Sequence, residues 1–168
     1  MEIRPLAEND AATYWNLRLE SLQREPFAFG KAVEEHQATK IEVFAERFRN
    51  TSDENFTLGA FQEAELIGMA TFIRETGLKE RHKGRIYGVY VTASWRGKGL
   101  GSALLGALLK KSQANPGLEQ ILLAVAARQK TAVQLYRKFG FEVFGTEPRA
   151  LKVGAEYIDE AHMILMLG

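Results

Sequence analysis

Cysteine is absent from the 168 residues. That excludes disulfides, zinc–thiolate sites and a thiol nucleophile. No apolar run reaches the roughly 18 residues that a membrane helix needs, and Met1-Glu2-Ile3-Arg4-Pro5 lacks the apolar stretch of a signal peptide. A cytoplasmic protein is the expectation. Charge of one sign is also lacking: the net charge is +1, so no general attraction to nucleic acid or to an anionic membrane is expected, and any anion binding has to be local. His36, His82 and His162 lack metal-ligand spacing, so no metal is expected. A G-x-S-x-G nucleophile elbow and a G-K-[ST] phosphate loop are both missing. Repeats, linkers and low-complexity tracts are missing too, and 46% of the residues are hydrophobic. One domain spanning residues 1–168, with a substantial core, is expected.

What is present centres on Arg96-Gly97-Lys98-Gly99-Leu100-Gly101. Upstream, Gly84–Thr92 is rich in β-branched and aromatic residues and reads as a strand. Downstream, Leu100, Ala103, Leu104, Ala107 and Leu108 make one apolar stripe at helical spacing. The glycines therefore fall where a strand turns into a helix. A helix start offers unpaired N–H groups and the positive end of the helix dipole. Glycine lets a ligand come close to that backbone. The product is a seat for a phosphate or diphosphate, reinforced by Arg96 and Lys98. The dinucleotide fingerprint G-x-G-x-x-G does not fit, because its sixth position is Ser102 counted from Gly97 and Leu104 counted from Gly99. No acidic residue ends the next strand, Ile121–Val125, to hold a ribose.

The remaining elements follow in order. Glu2–Leu6 reads as a first strand, and Asn9-Asp10 offers an N-cap to a helix carrying Trp15, Leu19 and Leu22. Pro26-Phe27-Ala28-Phe29 and Gly30 form an apolar loop. Thr39 and Glu42 read as a capping box for a second helix with Ile41, Phe44, Ala45 and Phe48 on one face. After the turn Thr51–Asn55, Phe56–Phe61 and Leu66–Arg74 read as a hairpin joined by Gln62–Glu65, and Glu75–Lys83 as a polar connection. Asn115-Pro116-Gly117 stops the central helix. Glu119–Ala126 reads as a strand buried on both faces, Ala132–Phe139 as a short helix, and Gly140 as its left-handed stop with Phe141 folded back on it. Phe141–Thr146 and Tyr157–Leu167 read as strands separated by a long connection, Pro148–Glu156. The expected fold is α/β: a mixed central sheet of about six to seven strands flanked by helices on both faces.

The strand Val89-Tyr90-Val91, the short turn and R-G-x-G-x-G opening a helix resemble the coenzyme A-binding segment of the GNAT superfamily of N-acetyltransferases. Ala132, Tyr136, Gly140 and Phe141 match the last helix of that superfamily, while its usual Asn is replaced by Gln129. The resemblance spans roughly Lys83–Leu167. It implies acetyl-CoA as cosubstrate, with its pantetheine arm against Val89, Tyr90 and Val91 and its diphosphate over Arg96, Gly97, Lys98, Gly99, Leu100, Gly101 and Ser102. Gln129 and Tyr136 would also touch the coenzyme. The implied reaction is attack of a primary amine, from a small molecule or a peptide, on the acetyl thioester. Without cysteine, transfer would be direct, in a ternary complex. Relatives often form homodimers through edge strands or the final hairpin.

That chemistry needs a neutral amine, and an alkyl amine has a pKa near ~10, so a base must take its proton. Backbone N–H of Val89 or Tyr90 is the candidate donor to the developing oxyanion. Tyr136 is the candidate catalytic donor to the leaving thiolate. Many relatives carry a base glutamate on the strand before the turn, yet Gly84–Thr92 holds no acid. Glu75, Glu80, His82, Asp159, Glu160 and His162 remain as candidates, and a water oriented by Tyr87 or Tyr90, or no base at all, are further options. The alternative to an enzyme is an acyl-CoA-binding regulatory module.

Overall fold

A computed structural model describes residues 1–168. The seven-stranded sheet runs in the order β1 (Glu2–Pro5), β2 (Asn55–Gln62), β3 (Glu65–Arg74), β4 (Lys83–Val91), β5 (Gln120–Ala126), β7 (Glu156–Met166), β6 (Glu142–Val153). All neighbours are antiparallel except β4 and β5. Five helices cover it: α1 (Ala11–Arg24), α2 (Val33–Gln37), α3 (Ile41–Arg49), α4 (Leu100–Gln113) and α5 (Lys130–Lys138). No helix is long and apolar enough to cross a membrane.

Two cores lie on opposite faces of the sheet, because β2 and β3 bury side chains alternately on both sides. One joins Phe56, Phe72, Ile86 and Ile121 to Leu104, Leu105 and Leu108 of α4 and Tyr136 of α5. The other joins Met69 and Tyr90 to Tyr14 and Leu17 of α1 and to Phe44 and Phe48 of α3. Helices on both faces are thus found as expected. Gly84 sits where β4 crosses the Phe72 ring; a Cβ there would lie 2.3 Å from Phe72 Cε2, so only glycine fits.

The local corrections have local causes. The buried stripe of α1 is Tyr14, Leu17, Ser21 and Leu22, with Trp15 and Leu19 only part-buried. Trp15 instead donates its Nε1 hydrogen to Thr39 O, 2.9 Å away. Asp10 does not cap α1. Its carboxylate accepts from Ala7 N and pairs with Arg4, both at 2.7 Å, ending a 3-10 turn over Glu8–Asp10. The short α2 was not expected, and Thr39 caps nothing: its hydroxyl donates to Glu35 O at 2.9 Å, and Lys40 precedes α3. Along α4, Ala103 is exposed and Leu105 and Leu109 are buried in its place. The largest correction is Pro148–Glu156, which is not a loop. β6 runs on to Val153 and pairs with β7 on both sides of an irregular stretch between Glu147 and Leu151, where Arg149 takes φ 53°. The irregularity absorbs Pro148, which cannot donate to a ladder.

Candidate functional site

β4 and β5 pair over only three residues, Lys83–Arg85 against Gln120–Leu122. Beyond Arg85 they diverge, and a cleft of about 900 Å³ opens between them. β5 stays paired to β7 along its whole length, so β4 is the strand that leaves. Its departure coincides with a bulge: Thr71 faces Tyr87 and Met69 faces Tyr90, so that Gly88 and Val89 share one opposing residue. Gly88 takes φ 59°, which glycine adopts without strain. A bulge leaves backbone groups outside the ladder, and here it falls at Gly88 and Val89, both of which line the cleft.

The glycine turn closes one end. Gly97 at φ 74° and Gly99 at φ 82° both require glycine, and a Cβ on either would meet nothing within 4 Å. The space over the turn is therefore open. Gly99 is the N-cap of α4, so the first-turn N–H groups and the helix dipole face that space. Gly101 serves packing as well: a Cβ there would touch Leu135 Cδ2 of α5 at 3.4 Å. Such a cradle accepts a phosphate or diphosphate on backbone donors.

Of the residues expected at the site, Val89, Tyr90, Val91, Arg96, Gly97, Gly99, Gly101, Ser102, Gln129 and Tyr136 line the cleft. Lys98 does not; its ammonium lies 4.9 Å from the Trp95 ring centroid. The Leu100 side chain is in the core, 2% exposed, leaving only its backbone near the turn. Arg96 is not a free cation. It bonds Val91 O at 3.0 Å and Glu25 at 2.7 Å, tying the turn to the end of α1 and occupying a carbonyl of the β4 edge.

Tyr136 is 7% exposed, packs edge-on against Phe141 at 5.9 Å, and lines the cleft. Burial pushes its pKa far above that of an ordinary phenol, so it stays protonated. Phe141 is held there by the stop of α5, where Phe141 N donates to Tyr136 O at 3.2 Å and Gly140 takes φ 90°. The Tyr90 hydroxyl faces away from this chemistry: it donates to Glu20 at 2.8 Å, and burial followed by that bond pushes its pKa up to about 12.

The six base candidates separate cleanly. Glu75 pairs with Arg85 at 2.5 Å, Glu80 with Lys83 at 3.0 Å, and Asp159 accepts from Arg149 N at 2.8 Å; none of these three lines the cleft, nor does His82. Glu160 and His162, on β7 opposite Ala126 and Ala124 of β5, do line it. His162 Nε2 lies 3.1 Å from Glu147 on β6. Burial, and then the neighbouring Glu147, raise the pKa of Glu160. The loop Pro26–Gly30, expected from the family resemblance to help form the acceptor pocket, does line the cleft through Ala28, Phe29 and Gly30. Sequence reasoning missed Arg18 and Arg85 as lining residues, because an arginine on a helix or a strand carries no motif that points to the cleft.

Residues 16–141 match the model of the "Acetyltransferase (GNAT) family". Over 81 residues the chain is 35% identical to the L-methionine sulfoximine/L-methionine sulfone acetyltransferase of Pseudomonas aeruginosa, covering 48% of this chain and 46% of that protein. The chain thus spans about half the length of the curated relatives of this kind. It superposes on the acetyltransferase of GNAT family from Streptococcus pneumoniae with a TM-score of 0.87 at 26% identity, covering 99% of both chains. A structure of yncA, a putative acetyltransferase from Salmonella typhimurium with its cofactor acetyl-CoA, gives a TM-score of 0.86 at 19% identity over 100% of this chain and 94% of that one; the likeness there is one of fold.

A Gly99→Val substitution forces a β-branched residue into a left-handed backbone and fills the open space over the turn. The strain alone costs about 1–2 kcal/mol, which a thermal melt reads. Calorimetric titration with coenzyme A should show affinity weakened at least ~tenfold; unchanged affinity would move the diphosphate seat elsewhere.

Proposed function

Because the chain belongs to the GNAT acetyltransferase family, we propose that it moves an acetyl group from acetyl-CoA directly to the amine of an acceptor, within a ternary complex. The observation that carries this reading is the cleft between β4 and β5, with an open glycine cradle at one end and Tyr136 and Glu160 on its walls. Cytoplasmic placement rests on the sequence reading alone.

The residues present fit the coenzyme. The N–H groups at the start of α4, with Ser102 in its first turn, would hold the diphosphate, since nothing in the protein fills that space. The open edge of β4 would take the amides of the pantetheine arm as an added strand does, with Gln129 on the facing wall. Acetyl-CoA supplies an activated acetyl group, whose C–S bond breaks as the new N–C bond forms.

The chain's own residues do the rest. A backbone N–H at the bulge, that of Val89, would donate to the carbonyl oxygen as negative charge develops there. Glu160 would take the proton that the amine must lose, as it lines the cleft and no side chain bonds it, whereas His162 is held by Glu147. Tyr136 would donate a hydrogen bond to the departing thiolate. Because burial holds its pKa so high, it steadies that charge by a hydrogen bond and does not surrender the proton outright. A regulatory module that only binds acyl-CoA would need neither a buried phenol nor a part-buried carboxylate on the cleft walls, and both are costly to keep there. Homodimer formation belongs to the same proposal: β6 is a sheet edge, and Val143 and Phe144 stand exposed along it. Sedimentation equilibrium should return twice the chain mass; a monomer at all concentrations would reject this part.

Tyr136→Phe should lower kcat by ~10–100-fold with acetyl-CoA affinity nearly unchanged, as read by thiol release and calorimetry. Unchanged turnover removes the hydroxyl from the reaction. Glu160→Gln should lower kcat by ~100-fold or more and abolish the acidic limb of the pH–rate profile, a limb that lies above the ordinary carboxyl range because the folded-state pKa is raised. The same shift has a stability sign. A raised carboxyl pKa favours the protonated form on folding; that contribution is present at low pH and lost as pH rises through the folded value. Glu160→Gln should therefore melt no lower than wild type at pH 7. A limb that survives in Glu160→Gln and vanishes in His162→Gln would transfer the role to His162.

A further inference from the structure

Arg18 of α1 borders the cleft and takes no part in the steps above. Its guanidinium makes no hydrogen bond and no ion pair within the protein, and Nη1 is closed off from solvent with no acceptor. An orphaned buried donor of this kind is costly, the more so when charged. Arg74 is what a structural buried arginine looks like in the same fold. Its Nε donates to Arg81 O at 2.6 Å, Nη1 to Glu54 at 2.9 Å and Nη2 to Pro116 O at 2.9 Å. Arg18 has only the Phe29 ring, 4.6 Å from its Cζ.

The surroundings offer it no anion. The groups that act on it are the Tyr14 phenol and a second cation, Arg47, which is stacked on Tyr14, Phe44 and Phe48 and also leaves two buried nitrogens without a partner. Lys31 lines the cleft as well. His36, also packed nearby, has its pKa lowered by burial first; its hydrogen bond with Trp15 O opposes that shift, and the charges of Arg18 and Lys31 add to it. The carboxylates of the neighbouring α1 turns are committed elsewhere. Glu20 holds the Tyr90 hydroxyl at 2.8 Å and Arg24 at 3.8 Å, and Glu25 holds Arg96 at 2.7 Å. Arg18, unlike Arg47, borders the cleft, so a ligand there can bring the negative charge that the protein does not supply.

Its position narrows the ligand. Nη1 lies 3.7 Å from where a Cβ of Gly88 would stand, at the bulge whose next residue is Val89. Resting on the acetyl-transfer reading above, we propose that the acceptor is a free amino acid, its carboxylate held by Arg18 and its amine presented beside Val89. A carboxylate bound at ~2.8 Å to a guanidinium at this point is within a few bonds of the amine that must reach the thioester. A peptide N-terminus, which has an amide where the amino acid has its carboxylate, would leave Arg18 as uncompensated as it is now. Glu160, across the cleft, suits the other end of such a zwitterion: it takes the proton from the ammonium, leaving the neutral amine to attack, and the products are the N-acetyl amino acid and the free thiol.

The test uses matched pairs, the common L-amino acids against their carboxamides, with the intact protein. Acetyl-CoA titration comes first and stands apart from the acceptor question: no binding defeats the acetyl-transfer reading, and this inference falls with it. Given binding, at least one free amino acid should exceed its carboxamide in kcat/KM by at least ~tenfold, mainly through KM. It should also bind the protein–coenzyme A complex in calorimetry, where no turnover occurs. In Arg18→Gln that ratio should collapse towards one, and Arg18→Lys, which keeps the charge but loses the fork, should restore part of it. Carboxamides favoured by the wild type, or a ratio unmoved in Arg18→Gln, would overturn the proposal. The wild-type comparison decides it even where a variant fails to fold.

Discussion

The parting of β4 from β5 is the constraint on which the rest depends. Two parallel strands that stayed paired would be covered by helices and would leave no opening. Here pairing stops at Arg85, β4 bulges at Gly88, and everything that reads as chemistry lies along the gap. The division of labour between strands is clear. β5 stays locked to β7 over seven residues and β4 to β3, so the wedge between them is rigid on both walls. A rigid opening holds a long ligand without the ordering cost of a mobile loop.

The paired end is pinned by buried polar groups. Arg74 gathers Glu54, the Arg81 carbonyl and the Pro116 carbonyl, which precede β2, β4 and β5 in turn. His82 O accepts from both Glu119 N and Gln120 N, and Asn115 holds Asp53 O and Ser112 O. Three strand starts are thereby fixed at one end of the sheet, with the Arg74 and Asn115 donors satisfied. The open end has the opposite character. Arg96 bridges Glu25 and Val91 O across the mouth, while Arg18 keeps a buried nitrogen without an acceptor and burial raises the pKa of both Tyr136 and Glu160. In a fold that satisfies most of its buried polar groups, titratable side chains left free of partners along one cleft are available to a ligand there.

Much of this was legible in the residues. The glycine turn was, because strand propensity before it and an apolar helical stripe after it leave one place for the glycines to go, and φ 74° and 82° are what that place demands. The Tyr136–Gly140–Phe141 group was too, since a helix stop has a short-range pattern. What escaped was set by distant contacts. Thr39 and Glu42 have capping-box spacing, but Thr39 found Glu35 O first. Pro148 suggested a loop, yet β6 continued past it because β7 resumes pairing at Leu151–Val153 beyond the irregularity. Glu160 and His162 could be separated from Glu75, Glu80, His82 and Asp159 only by register, since pairing with β5 decides which residues of β7 reach the cleft. Arg18 carried no signal, for an arginine on an amphipathic helix reads as a solvated charge until Phe29 and the Gly88 bulge close over it.

The two walls then carry opposite electrostatic problems. On the α1 side a guanidinium is desolvated with no anion to face it. On the β7 side a carboxyl is pushed up by burial and by Glu147, so it holds a proton more readily than usual. Each is unfavourable in the protein alone, and neither is relieved by the other across a water-filled gap, where charges interact weakly. A single small zwitterion relieves both: its carboxylate neutralises the first wall and its ammonium proton suits the second. Desolvation by the same ligand strengthens these contacts as water leaves. A carboxyl with a raised pKa is also a better match to an amine than an ordinary one, since the closer the two pKa values the less the proton transfer costs. On this reading the cleft is less stable than it need be because it is complementary to a substrate the rest of the fold does not supply.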